Sequence, residues 1–333
     1  MKLGILGAGS IAGVMAGTVR LLNQNGHPEI ELYAVAARQA DRAEAFARAN
    51  GVQRAYGGYE AMLADPAVDL VYIATPHSHH YGQIRMCVAY GKHVLCEKAF
   101  TVNARQAEVA LREARDRGLL VTEAIWTRYQ PMRRRIREVV ESGEIGTPRL
   151  LTANLGYYNA QVPRIARPEL AGGALLDMGV YPLNFAEMVF DHPDGVQGVC
   201  TKNELGVDMT DNITLTWADG RAAHLTAAAT GISDRLGVIY GTAGTLVVDN
   251  INNPEGLRVY DADHRLVRRE SRPPQLTGYE YELLEAADCI ARGLTECPSM
   301  PHRETLHIMA EMDCLRAQMA VRYPCEGLDM PNR

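Results

Sequence analysis

No stretch of this sequence approaches the roughly 20 consecutive apolar residues that a membrane-spanning helix needs, although 47% of its residues are hydrophobic. Its longest apolar runs are broken by glycine or charge, so a soluble chain without a membrane partner is expected. The opening run Met1-Lys2-Leu3-Gly4-Ile5-Leu6 leads straight into a glycine turn, with no separate apolar segment and cleavage site, and no export signal is read there. The seven cysteines, at 87, 96, 200, 289, 297, 314 and 325, form no C-x-x-C pair and are odd in number. That pattern argues against a disulfide framework or a zinc knuckle and for a reducing, cytoplasmic setting. Charge of one sign is lacking as well, since the net −6 arises from interspersed acids and bases. The densest basic cluster, Arg133-Arg134-Arg135 with Arg137, lies in a helix-like segment with no aromatic or groove-reading pattern, so it reads as a solvated or interfacial helix face and nucleic acid is not an expected partner. Repeats, low-complexity tracts and disordered linkers are missing too.

What is present is enough chain for two domains, since 333 residues exceed what one hydrophobic core usually supports. In the first 125 residues short apolar runs alternate with helical segments. Lys2 to Leu6, Glu31 to Ala36, Leu70 to Ala74, His93 to Glu97 and Leu120 to Ala124 read as strands; Ala43 to Ala49, Ile84 to Tyr90 and Gln106 to Arg117 read as helices, with Gly51, Gly91 and Gly118 at their ends. Apolar strands joined by helices predict an α/β fold with a doubly wound parallel sheet, the Rossmann architecture. After about residue 150 the strands follow one another directly: Gly198 to Leu205, Asn212 to Trp217, Ala222 to Ala228, Gly237 to Tyr240 and Thr245 to Val248, with Ala218-Asp219-Gly220 as a turn. Two helices, Tyr279 to Arg292 and Arg303 to Val321, follow them. The expectation is a dinucleotide-binding domain over 1–125 and an α+β domain over 126–333 built on a large, mostly antiparallel open sheet, with the last helices able to pack back on the first domain.

The run Gly7-Ala8-Gly9-Ser10-Ile11-Ala12 follows the first strand and opens a helix, the context in which G-x-G-x-x-A signals a dinucleotide site. Gly7 permits the tight turn, Gly9 lets the backbone approach a pyrophosphate, and Ala12 allows close helix packing, while the helix N-terminus offers amide donors to the phosphates. A plain glycine turn is the alternative. At the end of the second strand, Ala36-Ala37-Arg38 lacks the carboxylate that would hold the ribose 2′-hydroxyl of NAD, and an arginine able to fork around a 2′-phosphate favours NADP(H), with NAD the lesser choice and Arg42 a second candidate contact. Arg38 could equally be a solvated helix-start residue.

Two further strand ends should face the cofactor: Thr75-Pro76-His77, with His80 beyond it, and Glu97-Lys98. The group His77, His79 and His80 lacks a carboxylate or thiolate at ligand spacing, so no metal is expected there. Lys98 is either a surface amine or a lysine that polarises a carbonyl or tunes proton transfer in a partly dry cleft. Asp177 and Tyr181 are four residues apart in a helix-patterned segment entered through Gly172-Gly173, so both side chains share a face. Tyr181 could donate or accept the proton; otherwise the pair is a packed aromatic and a helix-start carboxylate. Trp126 and Arg128 follow the last strand of the first domain, and Arg164 lies in a loop, each with a structural alternative in the core or in solvent.

The pieces GAGSIA at the start, CEKAF around Lys98, EAIWTRYQP at 123–131 and GGALLDMGVYPLNF at 172–185 are those of a known family. The sequence resembles the Gfo/Idh/MocA oxidoreductases nearly end to end, and within them the dimeric dihydrodiol dehydrogenase branch, which is similar to the NADP-linked xylose and glucose-fructose oxidoreductase group. The AVAAR stretch ending at Arg38, VPR at 162–164 and TGYEYE at 277–282 belong to the likeness. By that resemblance Lys98 falls on the catalytic lysine of Glu-Lys-Pro, with Ala99 in place of the proline. Asp177 and Tyr181 fall on a motif where most of the family has aspartate and histidine and this branch has tyrosine. Trp126, Arg128 and Tyr129 fall on a turn facing cofactor and substrate, and Arg164 on a substrate contact. Leu155 stands where the branch has an aromatic. The resemblance implies hydride transfer between NADP(H) and a secondary alcohol or carbonyl of a sugar, polyol or cyclic trans-diol, in a homo-oligomer formed through the second domain's sheet. Two alternatives remain: a dinucleotide-sensing regulator without chemistry, and redox-assisted glycoside cleavage with the cofactor regenerated in each cycle.

Overall fold

A computed structural model describes residues 1–327; the final six positions of the 126–333 segment lie outside the described residues. The chain divides into two compact units, one made of Met1–Trp126, Gln275–Leu306 and Gly327, the other of Thr127–Pro274 and His307–Glu326.

The first unit is built on six parallel strands, β1 (Lys2–Leu6), β2 (Glu31–Ala37), β3 (Arg54–Gly57), β4 (Leu70–Ile73), β5 (His93–Glu97) and β6 (Val121–Ala124). Their order is β3-β2-β1-β4-β5-β6, which is the doubly wound dinucleotide-binding order with its switch point between β1 and β4. Leu3, Ile5 and Leu6 of β1, Leu70 to Ile73 of β4 and Val94 to Cys96 of β5 are fully buried, as strands covered on both faces must be. The helices α1 (Ser10–Gln24), α2 (Ala40–Asn50), α3 (Tyr59–Leu63), α4 (His77–Ala89) and α5 (Ala104–Asp116) connect the strands. Gly51, Gly91 and Gly118 take positive φ just past α2, α4 and α5, as helix-ending glycines do. Asn103 caps α5, its side chain accepting the Gln106 amide at 2.9 Å.

The second unit opens with α6 (Pro131–Glu141), which carries Arg133 to Arg137, and β7 (Pro148–Gly156), followed by α7 (Pro163–Ala166) and α8 (Val180–Phe190). Then come β8 (Gly195–Lys202), β9 (Asp208–Thr216), β10 (Ala222–Ala228), β11 (Gly237–Gly241), β12 (Gly244–Asp249), β13 (Gly256–Asp261) and β14 (Leu266–Ser271). With β7 these form an eight-stranded sheet in the order β14-β13-β12-β11-β7-β10-β9-β8. Every neighbouring pair is antiparallel except β7 with β10, which run parallel from Leu150↔Ala222 to Gly156↔Ala228. The β9–β10 hairpin turns at Ala218-Asp219-Gly220, with Gly220 at φ +88°. The chain then contributes α9 (Glu280–Ala291) to the first unit and continues through α10 (His302–Met319), in which the division between units falls.

Four strands escape the sequence reading. β3 and β14 are short, largely exposed edge strands, without the apolar alternation that marks a half-buried strand. β7 and β13 join them, β7 because it starts at Pro148 and mixes polar with apolar positions. The expected strand Gly198 to Leu205 is instead β8 at Gly195–Lys202, since Asn203 accepts the amides of Leu205 and Val207 and turns the chain. Among the described residues no helix is long and apolar enough to cross a membrane.

Candidate active site

At the switch point, Gly7 adopts φ +107°, and a Cβ there would lie 2.7 Å from the carbonyl oxygen of Ala74, which follows β4. Only glycine fits the turn. Gly9 differs: it caps α1 without a side-chain bond, and a Cβ there would meet nothing within 4 Å. The first amides of α1 have no partner within the helix, its first turn holds no acidic residue, and Ser10 is exposed while Ala12 is buried against the fold. A helix start with free amides, a positive dipole end and open space over Gly9 suits a pyrophosphate.

β2 ends at Ala37, and the exposed Arg38 follows it. Its charge acts on two neighbours. Burial raises the pKa of Tyr59 against the opposing pull of Arg38 and Arg42, and burial together with Arg38 lowers that of His79. Arg38, Arg42, Tyr59 and His79 thus share one neighbourhood at the end of β2, a donor-rich and cationic group.

Beyond β4, Thr75 donates its hydroxyl to Gln83 at 2.6 Å and Pro76 precedes α4. His77 lies edge-on to His80, with ring centroids 5.7 Å apart. His80 is fully buried and faces two carbonyl oxygens, Ala99 at 2.8 Å from Nδ1 and Thr75 at 2.9 Å from Nε2. Burial lowers its pKa to about 4 against the pull of both carbonyls; a neutral ring donates to one of these carbonyls and lies against the other, between the turn after β4 and the turn after β5. The second of those turns carries Lys98, whose peptide bond to Ala99 is cis. Glu97, nearly buried, accepts the Lys98 amide at 3.2 Å and the hydroxyl of Tyr72. Behind it lies a carboxylate the sequence reading passed over: burial and the charge of Glu97 push Glu282 well above the usual carboxylate range.

Trp126 sits in a 3₁₀ turn and stacks on Tyr279, centroids 4.1 Å apart and planes 14° from parallel. Glu280 organises the loop that presents Tyr279, accepting the amides of Leu276 at 2.7 Å, Thr277 at 3.0 Å and Gly278 at 2.6 Å. These contacts use the TGYEYE segment, so its glycine and glutamate have local structural reasons.

In the second unit the regular helix expected over Asp177 and Tyr181 is replaced by one π-helical turn, Leu175–Gly179, running directly into α8. The wider turn changes the angle between the two side chains from that of an α-helix. Its start is fixed from β9: Asp208 accepts the Leu175 amide at 2.7 Å, and Gly173 at φ +120° leaves room for that carboxylate. Asp177 is ion-paired with Arg164 of α7, the carboxylate 7% exposed and the guanidinium 52%. Arg164 therefore stands on a short helix rather than in a loop, half-exposed to solvent and paired with Asp177. Tyr181 is 8% exposed and lines a depression with Thr127, Arg133, Phe185 and Ile251. Arg128 is 2% exposed and donates Nε to Asn184 of α8 at 2.6 Å. Leu155 is buried.

A parallel six-stranded sheet with a glycine turn and a bare helix start at its switch point defines an NAD(P)-binding Rossmann oxidoreductase. Residues 1–125 match the model described as "Oxidoreductase family, NAD-binding Rossmann fold" and residues 133–247 that of the GFO/IDH/MocA C-terminal domain. The chain is similar to the trans-1,2-dihydrobenzene-1,2-diol dehydrogenases of Sus scrofa, 34% identical over 97% of this chain and 98% of that one, and of Mus musculus, 32% identical over the same shares. It belongs to the Gfo/Idh/MocA oxidoreductases, enzymes of the dehydrogenase and reductase type acting on CH–OH groups. Among solved structures it is similar to a 3-ketoreductase from Actinomadura kijaniata in complex with NADP and TDP-benzene, at TM-score 0.85 and 25% identity over 97% of this chain and 99% of that one.

Proposed function

We propose that this enzyme catalyses reversible hydride transfer between NADP(H) and a secondary alcohol or carbonyl of a sugar, polyol or cyclic trans-diol. The observation that carries the reading is the continuous helical segment on which Asp177, held by Arg164, and Tyr181 both stand. Bound NADP supplies the hydride acceptor in the oxidative direction. Tyr181 takes the hydroxyl proton as the carbinol hydride leaves and returns it in reduction. Lys98 is the cationic residue of this reaction, and Asp177 with Arg164 orients the substrate hydroxyls. Trp126 forms an aromatic wall for cofactor and substrate, stacked on Tyr279.

The choice of NADP rests on Arg38 with Arg42, Tyr59 and His79 at the end of β2, and it agrees with the NADP bound by the similar ketoreductase. The small cyclic substrate class follows the names of the diol dehydrogenases. Self-association through the large sheet is part of the reading, with Val199 of β8 and Leu266 and Val267 of β14 exposed on it; a sedimentation coefficient of a monomer at micromolar concentration would remove that part.

The deciding experiment follows NADP reduction by the full-length protein across aldoses, inositols and trans-dihydrodiols, together with Lys98→Met and Tyr181→Phe. Each variant should lose about 100-fold or more in kcat with cofactor affinity kept, as expected when general acid–base catalysis is removed. Wild-type turnover in either variant would overturn the assigned roles.

A further inference from the structure

We propose that Glu187, His192, His307 and Glu311 form a site for a divalent transition-metal ion of the zinc type, which ties α8 to α10 within the second unit. Glu187 stands near the end of α8, His192 two residues past it, and His307 and Glu311 are four apart on α10, hence on one face of that helix. His192 Nδ1 is 3.1 Å from one Glu187 oxygen, His307 Nε2 is 3.7 Å from the other, and the same His307 nitrogen is 3.4 Å from a Glu311 oxygen.

The ligand atoms of Glu187, His192 and His307 all lie within 4.8 Å of one another, and Glu311 approaches that group through His307. Four nitrogen or oxygen atoms placed tetrahedrally at about 2.1 Å from an ion stand roughly 3.4 Å from one another. The His192–Glu187 contact is also a hydrogen bond and the two glutamates interact with each other, but Glu187 Oε1, both oxygens of Glu311 and His307 Nε2 are buried without a partner of hydrogen-bond geometry. The Glu187 and Glu311 side chains are 0% and 4% exposed, and orphaned carboxylates at such depth are costly. Burial and the neighbouring Glu311 push Glu187 up to about 9 against the pull of Arg128, so without an ion the pair retains a proton. A divalent ion takes the place of that proton and gives the orphaned atoms a partner.

The imidazoles supply the entry. Their side chains are 41% and 33% exposed, and the rings stack with centroids 3.6 Å apart and planes 29° from parallel, so the carboxylates lie on the buried side of the site and the imidazoles on its solvent side. Two nitrogens and two carboxylates without a thiolate favour zinc, cobalt or nickel over calcium, which takes oxygen ligands alone. The histidines that draw the eye in the sequence, 77, 79 and 80, are not the ones that converge.

The test is a titration of chelator-stripped full-length protein with Co2+ alone, read by the visible bands of low-symmetry Co2+, followed by displacement with Zn2+. One equivalent of Co2+ per chain, displaced by one of Zn2+, with a Zn2+-dependent rise in Tm, is expected. His307→Ala and the near-isosteric Glu311→Gln should each abolish the bands and the Tm rise. His192→Ala, at a half-exposed ring, gives the same readout should the buried variants fail to fold. Absence of the bands in the wild-type protein, or bands that persist in folded His307→Ala, Glu311→Gln or His192→Ala protein, would overturn the site. Enzymatic activity is not the readout, so the proposal stands or falls apart from the assignment of substrate.

Discussion

The carboxylate of Asp177, almost withdrawn from solvent, is held by the half-exposed guanidinium of Arg164, thirteen residues earlier in the chain. Of the two, the guanidinium is the more accessible. In the proposed reaction the pair acts as a unit on the substrate hydroxyls.

That coupling predicts non-additive kinetics. Asp177→Asn and Arg164→Met should each lower kcat/KM by about 10-fold or more, while the double variant should fall well short of the product of the two losses. Steady-state rates on the best substrate of the screen decide it, and strictly multiplicative losses would mean the two side chains work separately.

The two glycines of the dinucleotide turn are predicted to fail in different ways. A methyl group at Gly9 meets nothing in the protein, so Gly9→Ala should leave Tm unchanged and weaken NADPH binding by about 10-fold or more, through obstruction of the pyrophosphate. At Gly7 the methyl group collides with the Ala74 backbone at a positive φ, so Gly7→Ala should lower Tm as well. Calorimetric unfolding and fluorescence titration with NADPH separate the two effects, and an unaltered NADPH affinity in Gly9→Ala would remove the phosphates from this turn.

In the proposed site Arg38 carries the choice between the two nicotinamide cofactors. Arg38→Asp replaces a phosphate-pairing fork by a group that accepts from a ribose hydroxyl, and it should reverse a preference for NADPH over NADH by more than about 10-fold in Kd ratio. A ratio that stays where it was would assign the specificity to other residues.

Stability should fall as pH rises, because of two buried aspartates beneath the π-helical turn. Burial and then the charge of Asp208 push Asp211 to about 9, and burial raises Asp208 itself. Such a group binds its proton more tightly when folded, so its contribution is complete below the unfolded value near 4 and is lost as pH climbs toward 9. Asp211→Asn should flatten that decline, raising Tm relative to wild type by roughly 3 °C or more at pH 8.5 and by much less at pH 5. Parallel curves for the two proteins would show that Asp211 does not titrate in this window.

How much of this was legible beforehand depended on whether the cause was local. β1, β4 and β5 are continuous apolar runs ended by glycine or by a polar turn, and the Gly7 to Ala12 motif needs only its own neighbours to make sense. The π-helical turn is different: it depends on a carboxylate from Asp208, thirty-three residues away, and the residues Leu175 to Gly179 would serve an ordinary α-helix equally well. The same holds for the bond from Arg128 to Asn184, fifty-six residues further along the chain, which nothing local announces. Glu187, His192, His307 and Glu311 have a visible helical spacing only within α10, and nothing in the chain joins that helix to α8 until both are folded. β14 was hidden by its arginines and its exposure at a sheet edge, features that protect an edge from further pairing and also erase its pattern.

The parallel pairing of β7 with β10 has a consequence for synthesis. Both neighbours of β7, β10 and β11, lie more than sixty residues further along the chain, so on the ribosome one of the eight strands of the completed sheet waits as a lone ribbon, its first edge open until β10 has emerged and its second until β11 has. Nascent chains stalled before Ala222 should be the form of this protein that most needs a chaperone, because long-range pairing cannot begin until its partners exist.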